Sequence, residues 1–364
     1  MTELEKNREE IDGIDARMAE LFERRMDIAE AIALYKKQYG LQVFDAAREQ
    51  EILEREVSHI KNPDYRAYYL DFLRAMISVS KKFQHRIISG SRIAYCGIEG
   101  AWASIAARRI FPKGVFVNYP DFPKAYGAVV AGECDFAVLP VENSYAGNVS
   151  QVFDLMHGGP LFINGMYSLK VSQALLGVKG AALSDVRKVV SHQQALDQCM
   201  TFIREKGFQI QAVVNTAVAA KEVAALGDKS VAAIASEESA AIYGLEVLQK
   251  GINQASTNTT RFAVFSTVKN DEIPAGSGSL FQMMFTVRDV PGALAAAVSA
   301  FSDAGINLRS LQSRPVGDIP WKYYFYVEGE GSLLTDEGKA LVSKLEGICE
   351  EVKILGHYLG DISI

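Results

Sequence analysis

The chain is poor in the residues from which metal centres, disulfide frameworks and membrane spans are built. Its 364 residues include four cysteines, Cys96, Cys134, Cys199 and Cys349, far apart and without a C-x-x-C pair. That spacing argues against a zinc ribbon and fits reduced core thiols better than a disulfide network. The five histidines are equally scattered, so no metal is expected. No run approaches the ~20 apolar residues needed to cross a bilayer, and the first residues lack the basic-then-apolar pattern of a secretory leader. A cytoplasmic chain without a membrane partner is therefore expected. Positive charge is in deficit: 38 Lys and Arg against 44 Asp and Glu give a net charge of −6, which argues against nucleic acid as the main partner. No long sequence period suggests a repeat protein. What remains is 49% hydrophobic, 23% charged and 10% aromatic. That is an ordinary globular composition, over a length that calls for two or three domains.

Three textures follow one another along the chain. Residues 1–89 carry almost no strand signal: a long helical pattern, a break at YGLQ (39–42), a second helix, Asn62–Pro63 and a third helix. From 91 to 268, short apolar runs such as RIAYCG and CDFAVLPV alternate with Ala-rich helical patterns, which reads as α/β. Residues 269–279 contain DEIPAGSGS, the content of a linker. From 280 to 364 the order is strand, helix, strand, strand, helix, strand, the split ferredoxin-like α+β plan. Pro291 suits a first helical turn there and Gly305 a position just past a helix end.

The first helix has an anomaly in its apolar stripe. Leu4, Ile11, Ile14, Met18, Leu21, Ile28, Ile32 and Tyr35 recur in steps of three and four, but Arg8 and Arg25 occupy positions of the same stripe. An unpaired guanidinium in an apolar seam is strongly unfavourable, so Arg25 needs a buried carboxylate, an exposed rim, or an anionic ligand. Lys36 follows eleven residues later on nearly the same face, a rise of roughly 16 Å that two long side chains can close around a small anion. Arg8 is about 25 Å from Arg25 by the same rise, too far to share that pocket. A second, antiparallel copy of the helix would bury the seam and bring its own Arg8 to the first chain's Arg25. Asp45 suits an N-cap of the second helix, with Arg48 and Glu49 in its first turn. On the third helix Ser80 and Gln84 follow Met76 at four-residue steps and interrupt an apolar face. Several cations, one carboxylate and neutral donors suit a small dicarboxylate.

Over nearly its full length this segment resembles the all-helical chorismate mutase domain, an intertwined dimer. The matching positions are Arg8, Arg25, Lys36, Asp45, Arg48, Glu49, Ser80 and Gln84, in the family's order. The resemblance implies that Arg8 of the partner chain, Arg25 and Arg48 hold the carboxylates of chorismate. It assigns Lys36 and Gln84 to the ether oxygen, Glu49 to the substrate hydroxyl, and Asp45 and Ser80 to supporting the pocket. The implied reaction, a Claisen rearrangement to prephenate, needs a compact substrate conformer and electrostatic stabilisation but no proton transfer.

Three stretches stand out in the middle segment. DFAVLPVENSYAG (135–147) runs an apolar strand into a polar turn and puts Glu142, Asn143 and Ser144 where open α/β sheets bind ligands. SHQQALDQC (191–199) sets Ser191 and His192 at a helix start, either as caps or as part of an anion site. NTTRFAVFS (258–266) puts Thr260 and Arg261 just before another strand. With Gly97, Gly100, Thr216 in NTAVAA, and SEESAAIYGL (236–245), these resemble the prephenate dehydratase domain, two α/β lobes around a cleft like periplasmic binding proteins. The resemblance implies decarboxylation and dehydration of prephenate to phenylpyruvate without a cofactor. It makes Thr260 catalytic and makes Glu142, Asn143, Ser144, Ser191, His192, Thr216, Arg261 and Phe262 substrate contacts. Ala101, Ala103 and Gln193 depart from the family pattern, and Ser104 is the hydroxyl available to substitute in the glycine loop.

The last segment resembles the ACT regulatory domain through PGAL (Gly292, Ala293, Leu294), INL (Asn307, Leu308) and LQSRP (Gln312, Ser313, Arg314). The resemblance implies phenylalanine as effector and a homo-oligomer, a dimer or a dimer of dimers. Gln312 stands where the family usually has glutamate. The chain as a whole thus resembles bifunctional chorismate mutase/prephenate dehydratases. A dehydratase preferring arogenate and a non-catalytic amino-acid sensor are the competing expectations.

Overall fold

The computed structural model describes residues 2–43, 46–254, 257–270, 278–317, 319 and 321–364. The chain forms two compact units, one ending at Ser91 and one spanning Arg92–Ile364.

The first unit is helical. Helix α1, Glu3–Tyr39, opens on a capping box in which Glu5 N–H donates to Thr2 Oγ1 and Thr2 N–H donates to Glu5 Oε2. It stops at Gly40, whose φ of 66° only glycine adopts freely. Helix α2 covers Ala46–Ser58 and α3 covers Arg66–Ser89, the latter preceded by a short turn that Asn62 caps. Leu73, Ile77, Ser80 and Gln84 form the buried face of α3, whereas Met76 is only partly covered. On α1 only Ala29 and Ala33 are buried, small residues one turn apart that let α3 approach closely. The rest of the stripe, Leu4, Ile11, Ile14, Met18, Leu21, Ile28 and Ile32, is exposed along the helix.

The second unit contains three sheets. The first lobe has the strand order Asp361–Ser363, Phe162–Lys170, Thr259–Ser266, Phe136–Asn143, Arg92–Cys96, Val115–Tyr119, with Gly147–Asn148 as a short addition beside Phe136–Asn143. The second lobe has the order Glu246–Gln249, Ala174–Gly177, Val231–Ala235, Lys188–His192, Gln209–Val213. The chain crosses between the lobes after Lys170 and again between strands Glu246–Gln249 and Thr259–Ser266. The C-terminal four-stranded sheet, in the order Leu308–Pro315, Tyr323–Glu330, Ser279–Thr286, Glu351–Leu359, carries helices Ala293–Asp303 and Asp336–Ile348. The expected split βαββαβ order is present. Pro291 does not open its helix, since Gly292 is the cap and Ala293 the first residue, whereas Gly305 follows the helix end with φ 69°.

The central strand Ser279–Thr286 is buried at every position. Phe281, Met283 and Phe285 face the two helices, while Leu280 and Met284 join Tyr324, Tyr326, Leu355 and Tyr358 in one core with Phe153, Met156 and Phe265 of the first lobe. A strand covered on both faces reads as a continuous apolar run, as LFQMMF does. Gly356 lies so close to strand Phe162–Lys170 that a Cβ there would collide with the Ile163 carbonyl oxygen. The C-terminal strand Asp361–Ser363 pairs in parallel with Phe162–Lys170, so the regulatory-type sheet and the first lobe are one packed body. The expected linker lies mostly outside the described residues, but Asn270 at its start is held by Asn164. No helix among the described residues is long and apolar enough to cross a membrane.

Candidate functional sites

A pocket of about 430 Å³ opens among the three helices of the first unit, lined by Arg25, Lys36, Arg48, Glu49, Ser80, Lys81 and Gln84 over a floor of Ile28, Ala29, Ile32, Val43, Ile52 and Ile77. Arg25 Nη1 donates to Ser80 Oγ, and burial lowers the guanidinium pKa. Lys36 Nζ donates to the Val43 carbonyl at 2.9 Å and to Gln84 Oε1 at 3.4 Å. Lys81 pairs with Glu49 at 2.7 Å, and Arg48 with Glu51 at 2.7 Å. Six of the eight expected mutase residues therefore meet in one pocket. Arg8 is exposed and outside it, and Asp45 lies outside the described residues. Lys81 was not singled out by the sequence because a lysine beside a polar residue on a helix reads as a solvated charge.

A larger cleft, about 550 Å³, separates the two lobes of the second unit. Asn143, His192, Thr216, Thr260 and Phe262 line it, together with Gly97, Ala101, Trp102, Ala103, Gln173, Gln198, Asn215 and Asn258. No Asp, Glu, Lys or Arg is among the described residues that do so. Two helices of nine and eleven residues begin at its wall. One starts after Ala101, whose side chain cannot cap it; the other after Asn215, which accepts from Val218 N–H at 2.8 Å.

Thr260 is buried and held by a defined network. Asn143 Oδ1 accepts from the backbone N–H of Tyr145 and Ala146 at 3.0 and 2.9 Å, which fixes the orientation of its amide. Its Nδ2 therefore faces Thr260 Oγ1 and Asn258 Oδ1, both at 2.9 Å. Asn258 Nδ2 in turn donates to Gln198 Oε1 at 3.0 Å.

Glu142, Ser144, Ser191 and Arg261, expected as substrate contacts, do not line this cleft. Successive side chains of a strand point to opposite faces, and Arg261 lies on the side of its strand away from Thr260. Its guanidinium meets Glu142 at 3.2 Å, Glu328 at 2.7 Å and Asp361 at 2.8 Å. Burial opposes the Arg261 charge, but Glu328 and Asp361 more than offset that and hold its pKa above the ordinary arginine value. Glu328 also accepts from Gln282 Nε2 at 3.0 Å and from Tyr358 O–H at 2.8 Å. Ser191 is fully buried and donates to the Ile234 carbonyl at 2.5 Å, joining two strands of the second lobe. Ser144 is exposed and accepts from Thr259 N–H at 3.0 Å, pinning the turn to its strand. Ser104 is buried and also does not line the cleft.

In the C-terminal domain, Ala293 and Leu294 line a third cavity of about 430 Å³ with Asp289, Trp321, Tyr323, Phe325 and Glu350, next to the Gly292 cap. Asn307 accepts from Glu330 N–H with its carbonyl, and Leu308 packs in the domain core. Gln312 and Arg314 face elsewhere. Gln312 accepts from Asn148 Nδ2, and Arg314 pairs with Asp154 at 3.0 Å, both in the first lobe. Ser313, between them, is exposed. The turn at 291–294 and the 312–314 strand thus do not form one cavity within a single chain. Among the described residues no cluster of His, Cys, Asp and Glu could hold a metal ion.

Comparison with known proteins divides the chain in the same order. The family models of chorismate mutase type II, prephenate dehydratase and the ACT domain match residues 7–85, 93–270 and 282–347. The bifunctional chorismate mutase/prephenate dehydratase of Escherichia coli (strain K12) is 28% identical, over 96% of this chain and 95% of that protein. Arogenate dehydratase/prephenate dehydratase 2 of Arabidopsis thaliana is 34% identical, over 78% of this chain and 77% of its own length. Among solved structures, prephenate dehydratase of Arthrobacter aurescens in complex with L-Phe is 25% identical with a TM-score of 0.68, covering 74% of this chain and 89% of that one. GqqA, described as a novel type of quorum quenching acylase, is 31% identical with a TM-score of 0.69, covering 74% and 98%.

Proposed function

From the premise that the chain belongs to the bifunctional chorismate mutase/prephenate dehydratase family, we propose how its residues divide the two reactions. The enzyme rearranges chorismate to prephenate and converts prephenate to phenylpyruvate. In the helical pocket Arg25 and Arg48 hold the substrate carboxylates, joined by Arg8 from a second copy of the chain packed on the exposed α1 stripe. Lys36, kept beside Gln84, and the Gln84 amide nitrogen donate to the ether oxygen as it gains charge. Glu49 takes the substrate hydroxyl, and Ser80 orients Arg25. Asp45, which lies outside the described residues, keeps its expected supporting role.

In the cleft Thr260 donates a hydrogen bond to the departing hydroxyl. The carrying observation is the Asn143 amide: its nitrogen occupies a Thr260 lone pair, so the threonine's own proton is free for substrate. The electron pair of the ring-to-carboxylate bond enters the ring, CO₂ departs, and the C–O bond breaks. Hydroxide leaves as water after taking up one proton, which solvent water supplies once Thr260 has polarised the C–O bond. With no Lys or Arg among the described residues that line the cleft, the carboxylates rest on the helix N-termini after Ala101 and Asn215, on His192 and on neutral donors. The absence of any lining carboxylate among the described residues favours prephenate, with its ketone, over arogenate, with its ammonium.

The amino-acid effector is phenylalanine, bound at the 287–294 cavity. Its signal reaches the cleft through Glu328 and Asp361, which grip Arg261, the residue next to Thr260. The working enzyme is a cytoplasmic homo-oligomer. Purified chain given chorismate alone should form phenylpyruvate, with prephenate as a transient. Consumption of chorismate without phenylpyruvate, or no consumption, would overturn one or both activities, and a silent protein with phenylalanine affinity would restore the sensor reading.

A further inference from the structure

The cleft contains a carboxamide that the protein leaves unsatisfied. Asn143, Asn258 and Gln198 form one hydrogen-bonded chain ending on Thr260, and Asn215 caps its helix. Gln173 also lines the cleft and is only 2% exposed, yet its Oε1 has no hydrogen-bond partner. Its backbone is pinned on the first crossover between the lobes. The N–H donates to Asn253 Oδ1 at 3.0 Å, the carbonyl accepts from Ile252 N–H at 3.0 Å, and the nearby Val171 N–H donates to the Asn258 carbonyl at 2.8 Å. The backbone is therefore held at the cleft wall. Buried polar atoms are almost always paired, and an orphan is destabilising. A cavity-lining orphan whose backbone is fixed on both sides is best explained by a partner that arrives with the ligand.

Resting on the reading of this cleft as the dehydratase site, we infer that Gln173 Oε1 accepts a hydrogen bond from bound prephenate. At neutral pH that molecule has one hydrogen-bond donor, the ring hydroxyl that departs; its two carboxylates and its ketone are acceptors only. Gln173 Oε1 therefore accepts the hydrogen bond of that hydroxyl and turns its oxygen lone pairs toward the Thr260 O–H. One bond accepted and one donated by the same oxygen fix the direction of the C–O bond before it breaks, an orientational contribution to the rate.

Gln173→Leu in the full chain, with Gln173→Met to keep the side-chain length, tests this. The dehydratase kcat/KM for prephenate should fall about 10²-fold, as for loss of one preorganised polar contact. Mutase turnover should be unchanged. The thermal midpoint should be unchanged or higher, because an apolar replacement removes the orphan. Binding of phenylpyruvate, which lacks the hydroxyl, should be unaltered. Unchanged prephenate kinetics in both variants would overturn the inference. Equal weakening of prephenate and phenylpyruvate would also overturn it, since the amide would then contact a group common to both. A wild-type chain inactive on added prephenate would instead overturn the dehydratase reading itself.

Discussion

The two sites proposed here are assigned isomeric dianions, and they are lined in opposite ways. The helical pocket is lined by Arg25, Lys36, Arg48 and Lys81 with Glu49; the cleft has no charged Asp, Glu, Lys or Arg side chain among its described lining. The difference follows from the chemistry each must perform. A pericyclic rearrangement gains from fixed positive charge aimed at a polarising ether and from cations that hold the substrate compact. Decarboxylation needs the opposite at the departing carboxylate: a cation paired tightly with it would hold back the electrons that must enter the ring. Neutral donors and helix N-termini bind the same charge with less localised attraction. Arg261, next to Thr260 in sequence, lies on the far side of the strand, where Glu328, Asp361 and Glu142 neutralise it.

The largest expected effect is on the cationic side. Arg25→Ala should lower mutase turnover by on the order of 10²–10³, as for removal of a preorganised transition-state donor, while dehydration of added prephenate is untouched. Mixing that variant with Arg8→Ala chains should recover about one intact pocket per mixed dimer after subunit exchange. No recovery, with exchange demonstrated by mass spectrometry, would break the assignment of Arg8 to the second copy.

Smaller is the effect expected from loosening the grip on Arg261. Glu328→Gln should leave dehydration without effector near the wild-type rate and weaken inhibition by phenylalanine. A coupling of ~1–3 kcal/mol corresponds to a change of about 5–150-fold in apparent affinity. Calorimetry that finds phenylalanine bound as before, beside kinetics that no longer respond, would place the loss in the coupling. An unchanged inhibition curve would remove Glu328 from the path.

The smallest effect concerns acid stability. Burial would raise the Glu328 carboxyl, but Arg261, with Tyr358 and Gln282, outweighs it and holds the group below its ordinary value of 4.5. A depressed carboxylate contributes stability that is complete above the unfolded value and is lost as pH falls through the folded one. Wild-type stability should therefore fall more steeply below about pH 4.5 than that of Glu328→Gln, read from thermal midpoints across the acid limb. Parallel limbs would contradict the ion pair's role.

The two sites also differed in how far they could be read before folding. Arg25 was conspicuous because a guanidinium in an apolar stripe needs a reason, and Ser80 and Gln84 because they break another stripe; local periodicity carries that information. The cleft is assembled from long range. Asn143 and Thr260 are 117 residues apart and meet only because their strands pair, and Asn258 and Gln198 are 60 apart. Gln173 follows a strand without any pattern to mark it. Arg261, which the resemblance places in the cleft, does not line it, because strand alternation opposes its side chain to that of Thr260. The covering of LFQMMF on both faces was legible as an apolar run, but the first lobe as its second cover was not.

That the two reactions rest on separate machinery is tested most directly by Thr260→Val, which keeps volume and branching and deletes the hydroxyl. Given chorismate, this variant should consume it at the wild-type rate and accumulate prephenate, with phenylpyruvate formation nearly abolished and the fold intact. Phenylpyruvate at the wild-type rate, or a matching loss of chorismate consumption in a folded protein, would contradict the account.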